Sequence, residues 1–68
     1  MYRNLKAEIV RYNIGNKEIA EKLDITPGTA SLKVNGKSKI SLDEAFLFQE
    51  IIYEKSKKKI PIEELFKA

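Results

Sequence analysis

The sequence predicts an all-α fold, a compact bundle of five helices. Apolar residues recur three and four apart along most of the 68 residues, and no stretch alternates apolar and polar as a half-buried strand does. Helix start and stop signals fall between these runs, at Asn13 to Asn16, Thr26-Pro27, Asn35-Gly36 and Ser41 to Glu44. The chain has neither cysteine nor histidine, so no disulfide and no Cys/His metal site holds it together and packed helices must.

Leu5, Ile9 and Tyr12 form the apolar side of a first helix from Tyr2 to Tyr12, with Arg3, Lys6, Glu8 and Arg11 between them. Asn13-Ile14-Gly15 interrupts it, and Gly15 is expected to supply the C-terminal stop. Asn16 is expected to cap the second helix by accepting a bond from a free backbone N–H. Ile19, Ala20 and Leu23 then form its buried side. Asp24-Ile25 reads as a tight turn, Asp tolerating a positive φ better than most residues. Thr26 caps a third helix and Pro27 follows at the first helical position, where its missing N–H is not needed. Ala30 and Val34 face inward, which turns Thr29, Ser31, Leu32 and Lys33 outward. Asn35-Gly36 ends this helix.

Ser41-Leu42-Asp43-Glu44 is a capping box, in which Ser41 and Glu44 satisfy each other's backbone donors. It opens a fourth helix from about Leu42 to Tyr53, with Leu42, Ala45, Phe46, Phe48, Gln49, Ile52 and Tyr53 on one broad face. Leu47 falls on the opposite side among Asp43, Glu50 and Glu54. Lys55 to Lys59 reads as a solvated basic loop whose charges complement the negative end of the preceding helix. Pro61 to Phe66 reads as a short terminal helix.

Net charge is only +3, and its distribution says more. Lys33, Lys37 and Lys39 lie between Thr26 and Ser41 with no acid among them; Asp43, Glu44, Glu50 and Glu54 follow with no base among them. A positive section thus coincides with the third helix and its exit. Enzymatic chemistry is not expected. Histidine and cysteine are absent, no glycine loop is built to cradle phosphate, and the carboxylates fall at caps or toward solvent. No catalytic residue, cofactor or metal ligand is assigned. No stretch has the length of a membrane span, and Met1-Tyr2-Arg3-Asn4 does not open a signal peptide, so residues 1–68 are expected to form one soluble cytoplasmic domain.

Several pieces together resemble the Cro/repressor, or XRE-like, helix-turn-helix DNA-binding family, in particular its small stand-alone phage-type members. These are Lys17 to Leu23, Thr29-Ala30-Ser31, Asn35-Gly36-Lys37, Leu42 to Ala45 and Glu63 to Phe66. The resemblance covers nearly the whole chain. It implies a λ-repressor-like bundle with the helix-turn-helix in the second and third helices, and a recognition helix at about 27–34 in the major groove of double-stranded DNA. Carried over residue by residue, it gives Asn16 the place of a phosphate-gripping glutamine, one methylene longer in the family, with Lys17 beside it. It makes Asn35 and Lys37 backbone contacts. Thr29, Ser31 and Lys33 become the hydrogen-bonding candidates of the reading helix, with Thr26 near the phosphates, and Lys39 joins the phosphate contacts. The chain departs from the family at Pro27 and Gly28, which carry no side-chain donor, at Leu32, which suits only an apolar contact such as a thymine methyl, and at Asp24, where glycine is usual. Shape readout would then weigh more than direct readout.

The function so implied is that of a transcriptional regulator, a repressor that blocks polymerase passively. It would bind a two-fold operator as a homodimer, with Leu47, Ile51 and Phe66 as a candidate seam. The alternative is a protein-interaction module on the same fold, of antitoxin or anti-repressor type, for which Pro27, Gly28 and Leu32 are suited.

Overall fold

Five helices succeed one another over residues 2–67, the part of the chain that the computed structural model describes: α1 (Arg3–Arg11), α2 (Asn16–Leu23), α3 (Pro27–Val34), α4 (Leu42–Ser56) and α5 (Ile62–Leu65). No strand occurs among the described residues, so the protein is an all-α five-helix bundle, as its apolar periodicity predicts. Met1, where the signal-peptide reading begins, and Ala68 lie outside them. No helix of the described chain is long and apolar enough to cross a membrane.

Backbone hydrogen bonds set the helix ends. Four helices stop on a left-handed residue: Asn13 (φ 52°), Asp24 (φ 59°), Gly36 (φ 76°) and Lys57 (φ 62°). After α1 the Asn13 N–H donates to the Val10 carbonyl at 3.2 Å and the Ile14 N–H to the Ile9 carbonyl at 2.9 Å. This is the double-bonded stop in which the residue after the left-handed one also packs back on the last turn. Ile9 and Ile14 are both buried.

The stop expected at Gly15 therefore falls at Asn13, because burial of Ile14 decides where the chain reverses. Gly15 instead has extended backbone (φ −82°, ψ 155°) and is itself the N-cap of α2. Its carbonyl accepts from the Ile19 N–H at 3.1 Å. Asn16 is consequently the first helical residue rather than the cap, and no side chain caps α2.

The core joins Leu5 and Ile9 of α1, Ile19, Ala20 and Leu23 of α2, Ala30 and Val34 of α3, Phe48, Ile51 and Ile52 of α4, and Leu65 of α5, with Ile14 from the first loop. α4 runs to Ser56, three residues beyond the expected end, so Lys55 and Ser56 are helical and only Lys57 to Lys59 belong to the loop. Its phase also differs from expectation. The buried residues are Ala45, Phe48, Ile51 and Ile52, with Leu47 half-buried against the core; Leu42, Phe46 and Tyr53 are exposed. α4 packs against both α2 and α5, and the arc it buries is set by those two neighbours rather than by the densest row of apolar residues.

Gln49 sits at the edge of that arc, where its amide donates to the Ile60 carbonyl at 2.7 Å. The ring of Phe66 stacks edge-on between Phe48 and Tyr2. Ile51 is buried, and Leu47 and Phe66 are half-buried against the core of the same chain, so the three do not form the exposed seam expected of them.

Candidate nucleic-acid interface

α2 and α3 pack directly against each other across the turn that joins them. Asp24 makes the turn left-handed, and the Ile25 N–H closes it on the Ala20 carbonyl at 2.9 Å. Thr26 then caps α3: its Oγ1 accepts from the Thr29 N–H at 3.2 Å and lies 2.9 Å from the Thr29 hydroxyl. Pro27 takes the first helical position. At the far end the Gly36 N–H donates to the Lys33 carbonyl at 3.1 Å and the Lys37 N–H to the Leu32 carbonyl at 2.9 Å, the same double-bonded stop as after α1. Gly36 supplies the left-handed residue that stop requires.

Ala30 and Val34 turn inward, as their spacing predicts, and Pro27, Gly28 and Leu32 lie exposed, flanked by half-buried Thr29, Ser31 and Asn35. Leu32 is 47% exposed in the middle of this face.

Lys33 departs from expectation. It is only 8% exposed, and its ammonium donates to the Lys39 carbonyl at 2.7 Å and to Glu44 Oε1 at 3.1 Å. At about 100° per residue, position 33 follows 30 toward the core side of α3, and Lys33 reaches along that side to the start of α4. The same Glu44 oxygen accepts from the Ser41 N–H at 3.0 Å, while Ser41 Oγ accepts from the Glu44 N–H at 3.2 Å, completing the expected capping box. The bond from the Ser41 backbone, followed by the Lys33 ammonium, holds the Glu44 carboxyl below the ordinary carboxylate range. Lys33 is thus a strut between α3, the loop and α4, its buried ammonium turned to the Lys39 carbonyl and Glu44 rather than presented on the outer face of α3.

Asn35 is likewise occupied. Its Nδ2 donates to the Ser31 carbonyl at 2.8 Å and its Oδ1 accepts from Lys6 Nζ at 2.8 Å, tying the end of α3 to α1. Neither Lys6 nor Glu44 was foreseen as a partner of α3. The capping-box spacing marks Glu44 as structured, but nothing in the linear pattern points Lys6 toward Asn35.

Asn16, Lys17, Lys37 and Lys39 are exposed, and among the described residues none of these three lysines is ion-paired. Four acidic residues of α2 and α4 pair with other lysines. Glu44 pairs with Lys33, Glu50 and Glu54 flank Lys22 at 3.4 and 3.5 Å, and Glu18 meets Lys55 at 3.0 Å. The hydrogen bond to Glu50, then the charge of Glu54, raises the pKa of the Lys22 ammonium. The α2 N-terminus and the α3 exit thus carry three cations without an ion-pair partner among the described residues, while Glu18 and Glu44 beside them are paired with Lys55 and Lys33. The first-turn N–H groups of α2, left without a side-chain cap, add partial positive charge.

Gly28 has no conformational reason to be glycine: its φ is not positive, and a Cβ built there meets nothing within 4 Å. Gly28→Ala is accordingly expected to stabilise the fold by about 0.5 kcal/mol, read as a raised urea midpoint with an unchanged slope. Among the described residues no His, Cys, Asp and Glu cluster is placed to hold a metal ion. No protein-family model matches the chain, and no curated protein or solved structure is significantly similar to it.

Proposed function

We propose that the protein is a double-stranded DNA-binding regulator, with α2 and α3 acting as a helix-turn-helix of the Cro/repressor kind and α3 entering the major groove. The observation that carries this reading is the pairing pattern around α3. An exposed, nearly uncharged helix face has the ammonium groups of Lys17, Lys37 and Lys39 near it, none of them ion-paired among the described residues, while Glu44 pairs with Lys33 and Glu18, Glu50 and Glu54 pair with other lysines at the surface. Cations at the rim suit phosphates, and small residues along the middle let the helix approach base edges. In this reading Asn16, Lys17, Lys37 and Lys39 contact the backbone, Thr26 and Thr29 lie at the helix start, and Ser31 and Leu32 face the bases. Lys33 and Asn35 position α3 without touching DNA. Gly28 lets the helix backbone come close, so the methyl group of Gly28→Ala lowers DNA affinity although it stabilises the fold.

Direct readout is modest, since Pro27, Gly28 and Leu32 offer no hydrogen bond, and DNA shape carries the remaining preference. Two copies on a two-fold operator, with half-sites about 34–36 Å apart, would supply the affinity one small domain lacks. Bound there, the protein represses by occupying the site. Exposure of Leu32 favours a second reading, in which the same face of α3 docks on an acidic protein partner.

Selection of bound sites from a random DNA pool, followed by titration across salt concentration, separates the two. The DNA reading expects a two-fold consensus and a log–log salt slope that flattens by about 0.9 for each of Lys37→Ala and Lys39→Ala. Absence of binding at low salt would leave only the protein-docking reading.

A further inference from the structure

Along the solvent side of α4, Leu42, Phe46, Gln49 and Tyr53 follow one another at intervals of four, three and four residues, which places them in one row on a helix. Leu42, Phe46 and Tyr53 are 65%, 48% and 50% exposed, the only run of large exposed apolar side chains on a single described helix. Phe46, Gln49, Glu50, Tyr53 and Lys59 line a shallow groove of about 470 Å³. Gln49 is held by its bond to the Ile60 carbonyl. The two ends of the row also differ in charge. Asp43 stands exposed at the N-terminal end, while Lys57, Lys58 and Lys59 follow the C-terminal end.

We propose that this row is where a second copy of the chain docks, α4 against α4 in antiparallel orientation about a two-fold axis beside Gln49 and Glu50. That orientation places Phe46 of each copy against Tyr53 of the other, so the same aromatic pair is made twice, the self-complementarity a two-fold contact requires. It sets Asp43 of each copy near the Lys57 to Lys59 cluster of the other and opposes the two helix dipoles. A parallel arrangement would bring acid to acid and base to base. The one like-charge approach, Glu50 near its own copy across the axis, is softened because Lys22 already lies 3.4 Å from that carboxylate.

The fifteen residues of α4 span about 22 Å at 1.5 Å each, so the contact is smaller than the roughly 800 Å² per partner of a standard interface. The dimer is accordingly weak. This surface deepens the two-copy reading above by naming the seam, but it stands on α4 alone and needs no DNA.

The test is sedimentation equilibrium of the full chain without DNA, from about 10 μM to 1 mM. A reversible monomer–dimer equilibrium is expected. Phe46→Lys and, separately, Tyr53→Lys should leave the protein monomeric while preserving the far-UV circular dichroism of the wild type, since both sites are exposed. Asp43→Lys should weaken dimerisation at least tenfold, and combining it with Lys57→Glu should restore it. A wild type that stays monomeric at 1 mM, or a dimer that survives both aromatic substitutions, overturns the proposal; failure of the charge swap to restore pairing overturns the antiparallel orientation. A monomer that still selects DNA sites overturns this seam alone, whereas a dimer that selects none overturns the DNA reading alone.

Discussion

Phe48→Ala is expected to lower the stability of the protein by about 4 kcal/mol and to leave much of the chain unfolded at 37 °C. Phe48 is 1% exposed at the middle of α4. Its ring meets Phe66 at 6.1 Å and 67°, and Phe66 meets Tyr2 at 5.3 Å and 78°, so one row of edge-on rings binds α4 to both ends of the described chain. α5 has only four residues and cannot persist without packing; Leu65 and Phe66 are its anchors against this row. A domain of this length has roughly 3–10 kcal/mol in total, so truncating its largest fully buried side chain removes much of the reserve. Thermal and urea unfolding followed by circular dichroism measures the loss. Phe48→Leu, which keeps most of the volume, should lose less than half as much. A loss below 1 kcal/mol for the alanine variant would mean that the ring row does not support the bundle.

Those aromatics also mark how far the sequence can be read. Helix number, order and approximate ends were legible, because Thr26-Pro27, Asn35-Gly36 and the Ser41/Glu44 box are local chemical signals that tertiary packing does not override. Asp24 as a left-handed turn residue was legible for the same reason. The stop of α1 was not: Gly15 has the right composition, but Asn13 takes the left-handed geometry so that Ile14 can bury.

The phase of α4 was lost in a similar way. Leu42, Phe46 and Tyr53 are the conspicuous apolar residues of that helix, yet Ile51 and Leu47 are the ones turned toward the core. A wheel shows which residues share a side and not which neighbours close over it. At the candidate interface, exposure of Pro27, Gly28 and Leu32 followed directly from Ala30 and Val34 facing in. Long side chains were the hard part. Lys33 and Lys37 look alike in sequence; one bends back to a carboxylate eleven residues away and the other stands in solvent.

That difference between two lysines makes the second large prediction. Lys33→Ala is expected to destabilise the fold by about 2 kcal/mol and to leave the salt slope of DNA binding unchanged, whereas Lys37→Ala should do the reverse. Lys33 holds the Lys39 carbonyl at 2.7 Å and Glu44 at 3.1 Å, with the two side chains of the ion pair 10% and 20% exposed. Removing the ammonium leaves a carbonyl and part of a carboxylate short of a donor, and the lysine stem no longer fills the space between α3 and the loop.

The same node sets an acid dependence. The folded-state pKa of Glu44 lies below its unfolded value of about 4.3, so its contribution is fully present above that value and is lost as pH falls through the folded pKa. Urea midpoints from pH 7 down to pH 3 should therefore decline for the wild type below about pH 4.3. In Lys33→Ala the Glu44 part of that decline should shrink but persist, because the Ser41 N–H bond, the larger cause of the lowered pKa, is still made. Glu44→Gln should remove it. A Lys33→Ala protein of wild-type stability whose salt slope of DNA binding has flattened by about 0.9 would return Lys33 to the phosphates and overturn its assignment as a strut.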